Sequence, residues 1–463
     1  MREREKIIIF LPDGVGLRNF AYTKFKDLGL DNNIETIYWN NTDFDLSTIG
    51  LKNIKIKNSK STVLADLYKR ARKIIELKQN YKNTKNKVYL SYIYPQSYKG
   101  IKNFVKSLIV DVLVLLFNSK KGLYFIKNKM FAIERTTSYY KESKETLIKE
   151  KPSLIFLTNQ RPLSAIAPLL AAQDLNIPTV TFIYSWDNLP KGMMVVKSDY
   201  YFVWSNHMKE ELMFYYPDVL ENNIRVVGTP QFEMHYQPEL IIRKEEFYKT
   251  YNLDLDRKYI CFSGDDVTTS PNDEFYLEDV AKVVEELNKQ GNNLGVIYRK
   301  CPVDFTDRHK KIYEKYKSVI ILIDPLWDNL GSNWNRVMPT KKDMSLLAST
   351  VFYTEMVINI GSSMVFDYAA QNKPCAYLNY NTEKKNDAKW SIEKIYKYIH
   401  FQSMPDKNAV LWINNINEIE DIIIKGLNKN KLDDTKEWYK IICGDNPSDS
   451  SGLIWKTIQE ILD

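Results

Sequence analysis

The chain has 463 residues, of which 44% are hydrophobic and 27% are charged, and this is the composition of an ordinary globular protein. Its length predicts two or three domains with large cores, and 16 glycines and 17 prolines are too few for a low-complexity chain. Four scattered cysteines without a CxxC pair, together with only four histidines, exclude a disulfide framework and a zinc cluster and indicate a reducing compartment.

Charge is divided unevenly along the chain, whose formal net charge is +7. Residues 1–235 contain 35 basic against 23 acidic side chains, whereas residues 236–463 contain 30 against 35. Most of the excess lies in residues 51–150, with 23 basic and 7 acidic side chains. Such a region predicts an anionic partner, or else a Lys-rich surface that only keeps the protein soluble.

The apolar runs that could meet a membrane are short. The run before Pro12 indicates a first strand rather than a signal peptide. No run reaches the roughly 18 to 20 apolar residues of a spanning helix. The longest, Leu108 to Phe117, is interrupted by Asp111 and has lysines on both sides, so it predicts a buried helix or a helix at a membrane interface. We expect a cytoplasmic protein, with peripheral contact to the cytoplasmic face of a membrane as the alternative.

In the first half, β-branched and apolar runs alternate with helical patterns. This alternation predicts a parallel sheet with helices on both faces. A helix is predicted over Leu163 to Leu175. The predicted strands are Ile7 to Leu11, Ile34 to Trp39, Leu154 to Thr158, Thr179 to Tyr184, Tyr200 to Trp204 and Ile224 to Val227.

The same pattern restarts after a break at Gly228-Thr229-Pro230, which predicts an α/β fold with two Rossmann-like, doubly wound domains. We expect domains at 1–235 and 236–440, a tail at 441–463, and a cleft in which ligands bind beyond the carboxyl ends of the strands. The predicted elements are strands Tyr259 to Ser263, Leu294 to Arg299, Val319 to Ile323, Met356 to Ile360 and Ala376 to Tyr380, and helices Ile242 to Tyr251, Phe275 to Gln290, Arg308 to Tyr316, Ile416 to Leu427 and Gly452 to Leu462.

The clearest motif follows the strand Met356 to Ile360. The chain turns there through Gly361 into a helix that starts with Ser362 and Ser363, so backbone N–H groups and hydroxyls converge on a predicted anion site. Asp367 lies one turn beyond Ser363 on the same face, where its carboxylate could accept hydrogen bonds from ribose hydroxyls. The alternative is a capping serine and a solvated aspartate.

Two further strand ends in the second half carry candidate residues. Gly264 lets the backbone approach a ligand closely, and Asp265 follows it in a small polar loop. A metal site there would need ligands that the local sequence lacks. Arg299 ends another strand and suits a diphosphate, because a guanidinium binds phosphate bidentately, although a surface salt bridge is the alternative.

In the first half, Asp13 follows the first strand in a loop that also holds Arg18. This carboxylate is a candidate general base, or it only shapes the turn. The loop Trp186-Asp187-Asn188 follows another strand and combines an aromatic ring with hydrogen-bonding groups, which suits a sugar. The alternative is a core tryptophan beside an Asx turn.

Other chemistries lack their motifs. The four histidines show no HxxxH or HExxH spacing, and no GxSxG elbow is present, so a zinc enzyme or a serine hydrolase is disfavoured.

These residues resemble the GT-B glycosyltransferases, with the closest local similarity to the CDP-glycerol glycerophosphotransferase group. The segment Ser362 to Tyr368 matches the group's Ser-Ser-x-x-Phe-Asp-Tyr, and Lys373-Pro374 follows it. Arg299 to Pro302 is similar to its Arg-x-His-Pro, with Cys301 at the histidine position. That departure, and Asn359-Ile360-Gly361 before the serines, favours a nucleotide-sugar donor.

The resemblance implies transfer of a sugar from a nucleotide-sugar donor to a hydroxyl of a cell-surface glycan or glycolipid, with an acceptor that is anionic if the basic region binds it. No metal, cofactor or nucleic acid is expected, and the final helix is expected to pack back on the first domain. The implied roles are catalysis by Asp13, Asp187 and Arg299, donor binding by Gly264, Asp265, Arg299, Gly361, Ser362, Ser363 and Asp367, and acceptor binding by Arg18, Trp186 and Asn188.

Three alternatives stay open. A non-hydrolysing nucleotide-sugar epimerase shares this fold but needs no acceptor. A CDP-polyol phosphotransferase of teichoic-acid type would use a different donor. A non-catalytic glycan-binding protein would show no specific affinity for a nucleotide.

Overall fold

The computed structural model describes residues 5–56, 61–331, 337–428 and 432–463. Contacts within the chain divide it into two compact units. Unit 1 comprises Met1–Gly228 and Ser450–Asp463, and unit 2 comprises Thr229–Asp449. The division therefore comes slightly before the boundary expected at 235, and residues 441–449 belong to unit 2 rather than to the tail.

The sheet of unit 1 has seven strands among the described residues, in the order β3, β2, β1, β4, β5, β6, β7, and all of them pair in parallel. Ile7 to Leu11 are fully buried, as expected for a parallel strand that is covered on both faces. The strands are β1 Glu5–Leu11, β2 Ile34–Asn40, β3 Asn53–Ile54, β4 Leu154–Leu157, β5 Thr179–Phe182, β6 Tyr200–Val203 and β7 Ile224–Val226.

The helices of unit 1 include a long excursion between β3 and β4, formed by α3 to α7, and this excursion holds most of the basic region. Residues 57–60 of that region lie outside the described residues. The helices are α1 Gly14–Ala21, α2 Phe25–Asp31, α3 Val63–Thr84, α4 Val88–Ser91, α5 Ile101–Phe117, α6 Lys120–Glu134, α7 Ser138–Glu150, α8 Ile166–Gln173, α9 Asn206–Tyr215 and, at the end of the chain, α17 Ser450–Leu462.

The sheet of unit 2 has six parallel strands among the described residues, in the order β10, β9, β8, β13, β14, β15, and a separate antiparallel pair is formed by β11 and β12. The strands are β8 Lys258–Ser263, β9 Leu294–Arg299, β10 Ile320–Ile323, β11 Trp327–Asn329, β12 Val337–Pro339, β13 Val357–Asn359, β14 Cys375–Leu378 and β15 Leu411–Ile413. The helices are α10 Lys244–Thr250, α11 Asp273–Lys289, α12 Lys310–Lys315, α13 Lys341–Tyr353, α14 Met364–Ala370, α15 Ile419–Leu427 and α16 Asp433–Cys443.

The predicted α/β class with two doubly wound units is confirmed, and each predicted strand overlaps an observed one. The sequence patterns missed the very short strands β3, β11, β12 and β15, because two or three residues carry too little periodicity to be recognised. Within the described part of the chain, no helix combines the length and the apolar character that crossing a membrane requires.

Helix α17 packs on α2 within unit 1, which confirms the expected return of the final helix. The Trp455 ring stacks on Phe25 at 4.8 Å between ring centroids, and its Nε1 donates a hydrogen bond of 2.7 Å to the Phe25 carbonyl. A Cβ on Gly29 would lie 2.7 Å from Trp455 Cζ2, so glycine is what lets this ring lie against α2. The last helix is therefore an integral part of unit 1.

We expect Trp455→Ala to lower the free energy of unfolding by about 3–5 kcal/mol, since a large buried ring and its hydrogen bond are lost together. Urea unfolding followed by circular dichroism measures the change. Lys456→Ala, at an exposed position of the same helix, is the control and should stay within about 0.5 kcal/mol of the parent. Equal stability of the two variants would contradict the role given to α17.

Candidate functional site

Asp13 lies where β1 and β4 end side by side, at the point where the strand order of unit 1 reverses. Its Oδ1 accepts hydrogen bonds from the backbone N–H groups of Val15 and Gly16 at 3.1 and 3.0 Å, and it thereby caps α1. Its Oδ2 accepts a bond of 2.7 Å from the Asn159 side chain. Burial raises the pKa of Asp13, and these hydrogen bonds and the charge of Arg161 oppose the rise. The carboxylate caps a helix, and because burial raises its pKa it is also a candidate proton acceptor.

A second hydrogen-bond network joins the ends of β4 and β5. The buried Gln160 accepts from the Tyr184 backbone N–H at 3.0 Å and donates to Asn188 Oδ1 at 3.2 Å. Asn188 in turn donates to Asp187 at 2.7 Å, and the other carboxylate oxygen of Asp187 pairs with Lys191. We call the residues after β1, β4 and β5, namely 12–14, 158–161 and 183–188, the unit 1 edge.

The candidates for acceptor binding differ in how accessible they are. Trp186 and Asn188 are buried, at 7% and 3% exposure, and Asn188 uses both ends of its amide inside the network. Arg18 is half-buried and donates to Asn19. The structure thus brings Asp187 and Asn188 together in one network, and Trp186 presents little ring surface.

A group of cations next to the unit 1 edge was not singled out from the sequence. Lys69 and Lys73 lie one turn apart on α3, and burial, followed by the charge of Arg161, lowers the pKa of each to about 8. Lys191 adds to the effect on Lys73. The Arg161 guanidinium lies 5.3 Å from the centroid of the Tyr184 ring. We name Lys69, Lys73, Arg161 and Lys191 the cationic group. Two sequence features could have indicated the cationic group: the spacing of the two lysines within the basic region and the position of Arg161 after a strand.

Glu211, on α9, is another residue that the sequence did not indicate. Burial raises its pKa to about 8, and the charge of Asp187 contributes to the rise. Glu211 is therefore a further carboxyl group of unit 1 that can hold or release a proton near neutral pH.

In unit 2, β8 and β13 end side by side at the corresponding reversal of strand order, and we call residues 264–266, 299–301 and 360–363 the unit 2 edge. A Cβ on Gly264 would lie 2.7 Å from the Tyr298 hydroxyl, so this glycine accommodates a tyrosine of the neighbouring strand. Burial raises the pKa of Asp265 well above its usual value, and the charges of Asp273 and Asp266 raise it further. The backbone N–H of Ile360 hydrogen-bonds to this carboxyl.

Asp265 belongs to a buried polar cluster. The Arg308 guanidinium donates to the Asp265 carbonyl at 2.5 Å and to the Asp304 carboxylate at 2.9 Å. Burial also raises the pKa of Asp273, to about 7. Among the described residues, Asp265 Oδ2 and Asp273 Oδ1 have no hydrogen-bond partner. The cluster therefore holds acceptor atoms, or a shared proton, that another group could use.

Arg299 is almost fully buried against Asp343, an ion pair that the sequence did not indicate. Its Nη2 donates to both oxygens of this carboxylate at 3.0 and 2.9 Å. Asp343 also accepts from the Leu326 backbone N–H and from Trp327 Nε1. The other guanidinium nitrogen of Arg299, Nη1, has no hydrogen-bond partner within residues 5–56, 61–331, 337–428 and 432–463. The two N–H groups of Nη1 therefore remain for an anion.

The predicted anion motif after β13 has the expected strand and turn, but α14 begins at Met364, with Ser363 as its N-cap residue, rather than at Ser362. Gly361 adopts a φ of +64°, the left-handed region that favours glycine. Ser362 and Ser363 are half-buried at the start of α14, and the Ser362 backbone N–H donates to Asn359 Oδ1 at 2.9 Å. The serines thus lie at the unit 2 edge, beside the turn.

Asp367 has a protein partner that sequence analysis missed. Its Oδ1 lies 2.7 Å from His235 Nε2, and the two side chains are 6% and 0% exposed. Gln371, which directly follows α14, donates to the His235 carbonyl. His235 carried no spacing signal because its partner is far away in the sequence. Asp367 therefore joins α14 to the segment that begins unit 2, whatever else it binds.

No protein-family model and no curated protein sequence matches this chain. Several solved structures are similar over almost their whole length. A putative UDP-N-acetylglucosamine 2-epimerase from Listeria monocytogenes shows a TM-score of 0.57 at 10% identity, covering 99% of this chain and 96% of its own. The UDP-GlcNAc 2-epimerase from Neisseria meningitidis bound to UDP-GlcNAc shows a TM-score of 0.55 at 12% sequence identity, and the match covers 98% of this chain and 100% of the epimerase. A glycosyltransferase from Rickettsia africae shows a TM-score of 0.50 at 11% sequence identity, and the match covers 99% of this chain and 98% of the glycosyltransferase.

The fold is GT-B-like. The GT-B-like fold agrees with the resemblance seen in the sequence, but folds of this kind support several reactions, so the chemistry depends on the residues at the two edges. Residues expected in different roles are separated accordingly. Asp13 and Asp187 lie at the unit 1 edge, whereas Asp265, Arg299 and the serines lie at the unit 2 edge.

We expect Asp343→Ala to cost about 3–5 kcal/mol of stability, because it leaves the Arg299 charge buried without its partner. Chemical denaturation measures the loss. Asp328→Ala, which removes an exposed carboxylate from the neighbouring strand β11, is the matched control and should be nearly neutral. If both variants are as stable as the parent, the Arg299–Asp343 pair does not contribute to the stability of the fold.

Proposed function

We propose that the protein is a glycosyltransferase that moves a sugar from a nucleotide-sugar donor to a hydroxyl group of a glycan or glycolipid, without a metal ion. Unit 2 binds the donor and unit 1 binds the acceptor. Similarity to two UDP-GlcNAc 2-epimerases, one of them bound to UDP-GlcNAc, and to a glycosyltransferase supports the choice of a nucleotide sugar.

The proposed donor site is the unit 2 edge, because ligands of doubly wound sheets bind where the strand order reverses. The half-buried hydroxyls of Ser362 and Ser363 and the backbone at Gly264 and Gly361 would contact the phosphates. Arg299 Nη1 would donate a charge-assisted hydrogen bond to the leaving phosphate, whose charge then needs no metal ion.

Asp265 and Asp367 complete the proposed donor site. Asp265 carries an oxygen without a partner and a raised pKa, so it can accept a hydrogen bond from a sugar hydroxyl or, when protonated, donate one. Asp367 would bind the ribose through its second oxygen, while His235 holds the first.

The observation that carries the proposal is the cationic group beside the unit 1 edge. Burial, and after it the charge of Arg161, lowers the pKa of Lys69 and of Lys73, so keeping both lysines charged beside Arg161 and Lys191 costs free energy. A bound anion would offset this cost. Epimerisation of a nucleotide sugar needs no second substrate. Transfer of a sugar to an anionic acceptor does need a second substrate. Arg18, Trp186 and Asn188 are the further acceptor contacts that we propose.

The proposed general base is Asp13, with Asp187 as the competing candidate. A carboxylate whose pKa is raised by burial is suited to take a proton from the acceptor hydroxyl. Asp187 is paired with Lys191. Glu211 would take this role if neither aspartate does.

The second candidate function is epimerisation of a nucleotide sugar, and the TM-scores of 0.57 and 0.55 to epimerases favour it. Incubation of the protein with a panel of nucleotide sugars in the absence of an acceptor separates the two functions. We expect no sugar isomer to form. Appearance of an isomer would instead assign the protein as an epimerase, and turnover only with CDP-glycerol would assign it as a polyol phosphotransferase.

Nucleotide binding tests the donor site. We expect one nucleoside diphosphate to raise the melting temperature of the parent, since a ligand of the folded state stabilises it. Asp367→Ala should weaken this binding roughly 10- to 150-fold, the loss of a charged hydrogen bond worth about 1.5–3 kcal/mol. His235→Gln is the control because it removes the protein partner but keeps the carboxylate. Unchanged affinity in a folded Asp367→Ala variant would remove Asp367 from the site.

The affinity of the acceptor site for an anion should depend on pH through the charges of Lys69 and Lys73. Because their pKa values are about 8, they lose positive charge as the pH rises through 8, and an anion should bind progressively more weakly. With a sulfated oligosaccharide as the probe, we expect a roughly ten-fold loss of affinity between about pH 7 and about pH 9. Lys69→Gln with Lys73→Gln should abolish this dependence. Lys141→Gln, at an exposed position, should preserve it. A parent whose affinity is flat across this range would contradict the site.

The base assignment can be tested without disturbing the helix cap. Asparagine caps helices as well as aspartate does, so Asp13→Asn keeps the start of α1 but cannot accept the proton. We expect turnover to fall about 10²- to 10⁴-fold with nucleotide affinity intact. Near-parental turnover of Asp13→Asn, with a large loss in Asp187→Asn or Glu211→Gln, would transfer the role to that residue.

A further inference from the structure

Helix α5 exposes an apolar surface that the proposed reaction does not use. Only Ser107, Val110 and Val114 of this helix are buried against the rest of unit 1. Its exposed large side chains are Ile101 at 87%, Phe104 at 50%, Val105 at 47%, Leu108 at 49%, Ile109 at 39%, Val112 at 45%, Leu115 at 81% and Leu116 at 67%. The helix therefore presents more large apolar side chains to its surroundings than to the protein.

These eight side chains form one continuous face. Their spacing repeats the i, i+3, i+4 and i+7 pattern, which at 100° per residue covers roughly half of the circumference of the helix. Asp111 lies at the border of this face, where its carboxylate accepts a hydrogen bond from the Tyr98 hydroxyl. A helix of 17 residues gives the face a length of about 25 Å. We call it the α5 face.

Two exposed aromatic side chains lie at the start of α6, just beyond the end of α5. Phe125 stacks on Phe117 at 4.8 Å between ring centroids, and Tyr124 and Phe125 are 66% and 41% exposed. An exposed apolar surface of this extent on one element is typical of an interaction site rather than of a solvated surface.

Positive charge surrounds the α5 face. Residues 99–133 contain seven lysines and only one acidic residue, Asp111. Lys99 and Lys102 are exposed at the start of α5, and Lys120 and Lys121 are exposed just beyond its end. An apolar face bordered by lysines matches an anionic bilayer, where lipid tails take up the apolar side chains and headgroups pair with the ammonium groups.

We propose that the α5 face binds the surface of a membrane containing anionic lipids, with α5 lying in the plane of the interface. The apolar side chains would enter the boundary between headgroups and acyl chains, to a depth of about 5–10 Å. This inference does not depend on the proposed reaction, because it rests on unit 1 surface residues that the donor and acceptor sites leave unused.

A second copy of the chain fits the α5 face less well. Lysines lie at both ends of the helix, so pairing two α5 helices in either direction brings positive charges together. Protein interfaces are also depleted in lysine near their cores. An anionic bilayer, in contrast, gains from every lysine around the face.

Sedimentation with lipid vesicles tests the proposal on the full chain. We expect the parent to bind vesicles of phosphatidylcholine with about one third phosphatidylglycerol, and to bind pure phosphatidylcholine at least about ten-fold more weakly. Replacing Leu108, Val112, Leu115 and Leu116 by serine should reduce binding to the anionic vesicles at least about ten-fold. The control replaces four exposed apolar residues elsewhere by serine, Leu220, Leu255, Ile416 and Ile424, and should bind like the parent.

The contribution of charge is measured separately. Lys102→Gln, Lys120→Gln and Lys121→Gln together should weaken binding roughly a hundred-fold, and raising the salt to about 0.5 M should weaken binding of the parent. The proposal is overturned if the parent does not bind anionic vesicles, or if the four-serine variant binds as well as the parent. It is also overturned if the parent forms dimers that the four-serine variant loses, since the face would then join two copies. Circular dichroism confirms that each variant is folded.

Discussion

The parallel pairing of the strands is the constraint on which both candidate sites depend. Parallel neighbours can be joined only by a crossover, so every strand of a sheet ends at the same edge. In unit 1 this brings Asp13 next to Asn159 although 146 residues separate them. In unit 2 it brings Asp265 to the turn after β13. The polar residues meet at these edges because the strands behind them are apolar and buried on both faces.

Several candidate residues are also structural, because a charge in a protein interior must have a partner. Asp13 caps a helix, Arg299 pairs with Asp343, and Asp367 pairs with His235. Each pairing orients a side chain before any ligand binds, which reduces the ordering cost of binding. It also means that removing such a residue changes stability as well as chemistry, so conservative replacements and partner variants are needed to separate the two effects.

The basic region contains two different surfaces. Lys69 and Lys73 lie on α3 and are partly buried. Their positive charges are repelled by the nearby charge of Arg161. The lysines around α5 lie instead in the open, beside exposed apolar side chains. A count of positive charges along residues 51–150 cannot separate these surfaces, because it contains no information on burial.

Much of the fold followed from local pattern. Apolar runs such as Ile7 to Leu11, followed by helical periodicity, were enough to predict two doubly wound units, since a strand covered on both faces has to be apolar throughout. The turn through Gly361 and the serines after it could also be predicted, because the residues that define this turn are consecutive in the sequence. By contrast, β15 was missed because three residues hold no periodicity.

The sequence by itself determined the class of the fold, the strand ends at which polar residues would collect, and the location of the positive charge. Only the tertiary structure decided which of those residues have partners. Asp343 meets Arg299 across 44 residues and His235 meets Asp367 across 132, and no local spacing encodes such pairs. The same holds for α5, whose apolar pattern fits a buried helix until the packing of unit 1 leaves that face uncovered. Burial and long-range pairing are properties of the assembled chain, and they separate a candidate site from a mere pattern of residues.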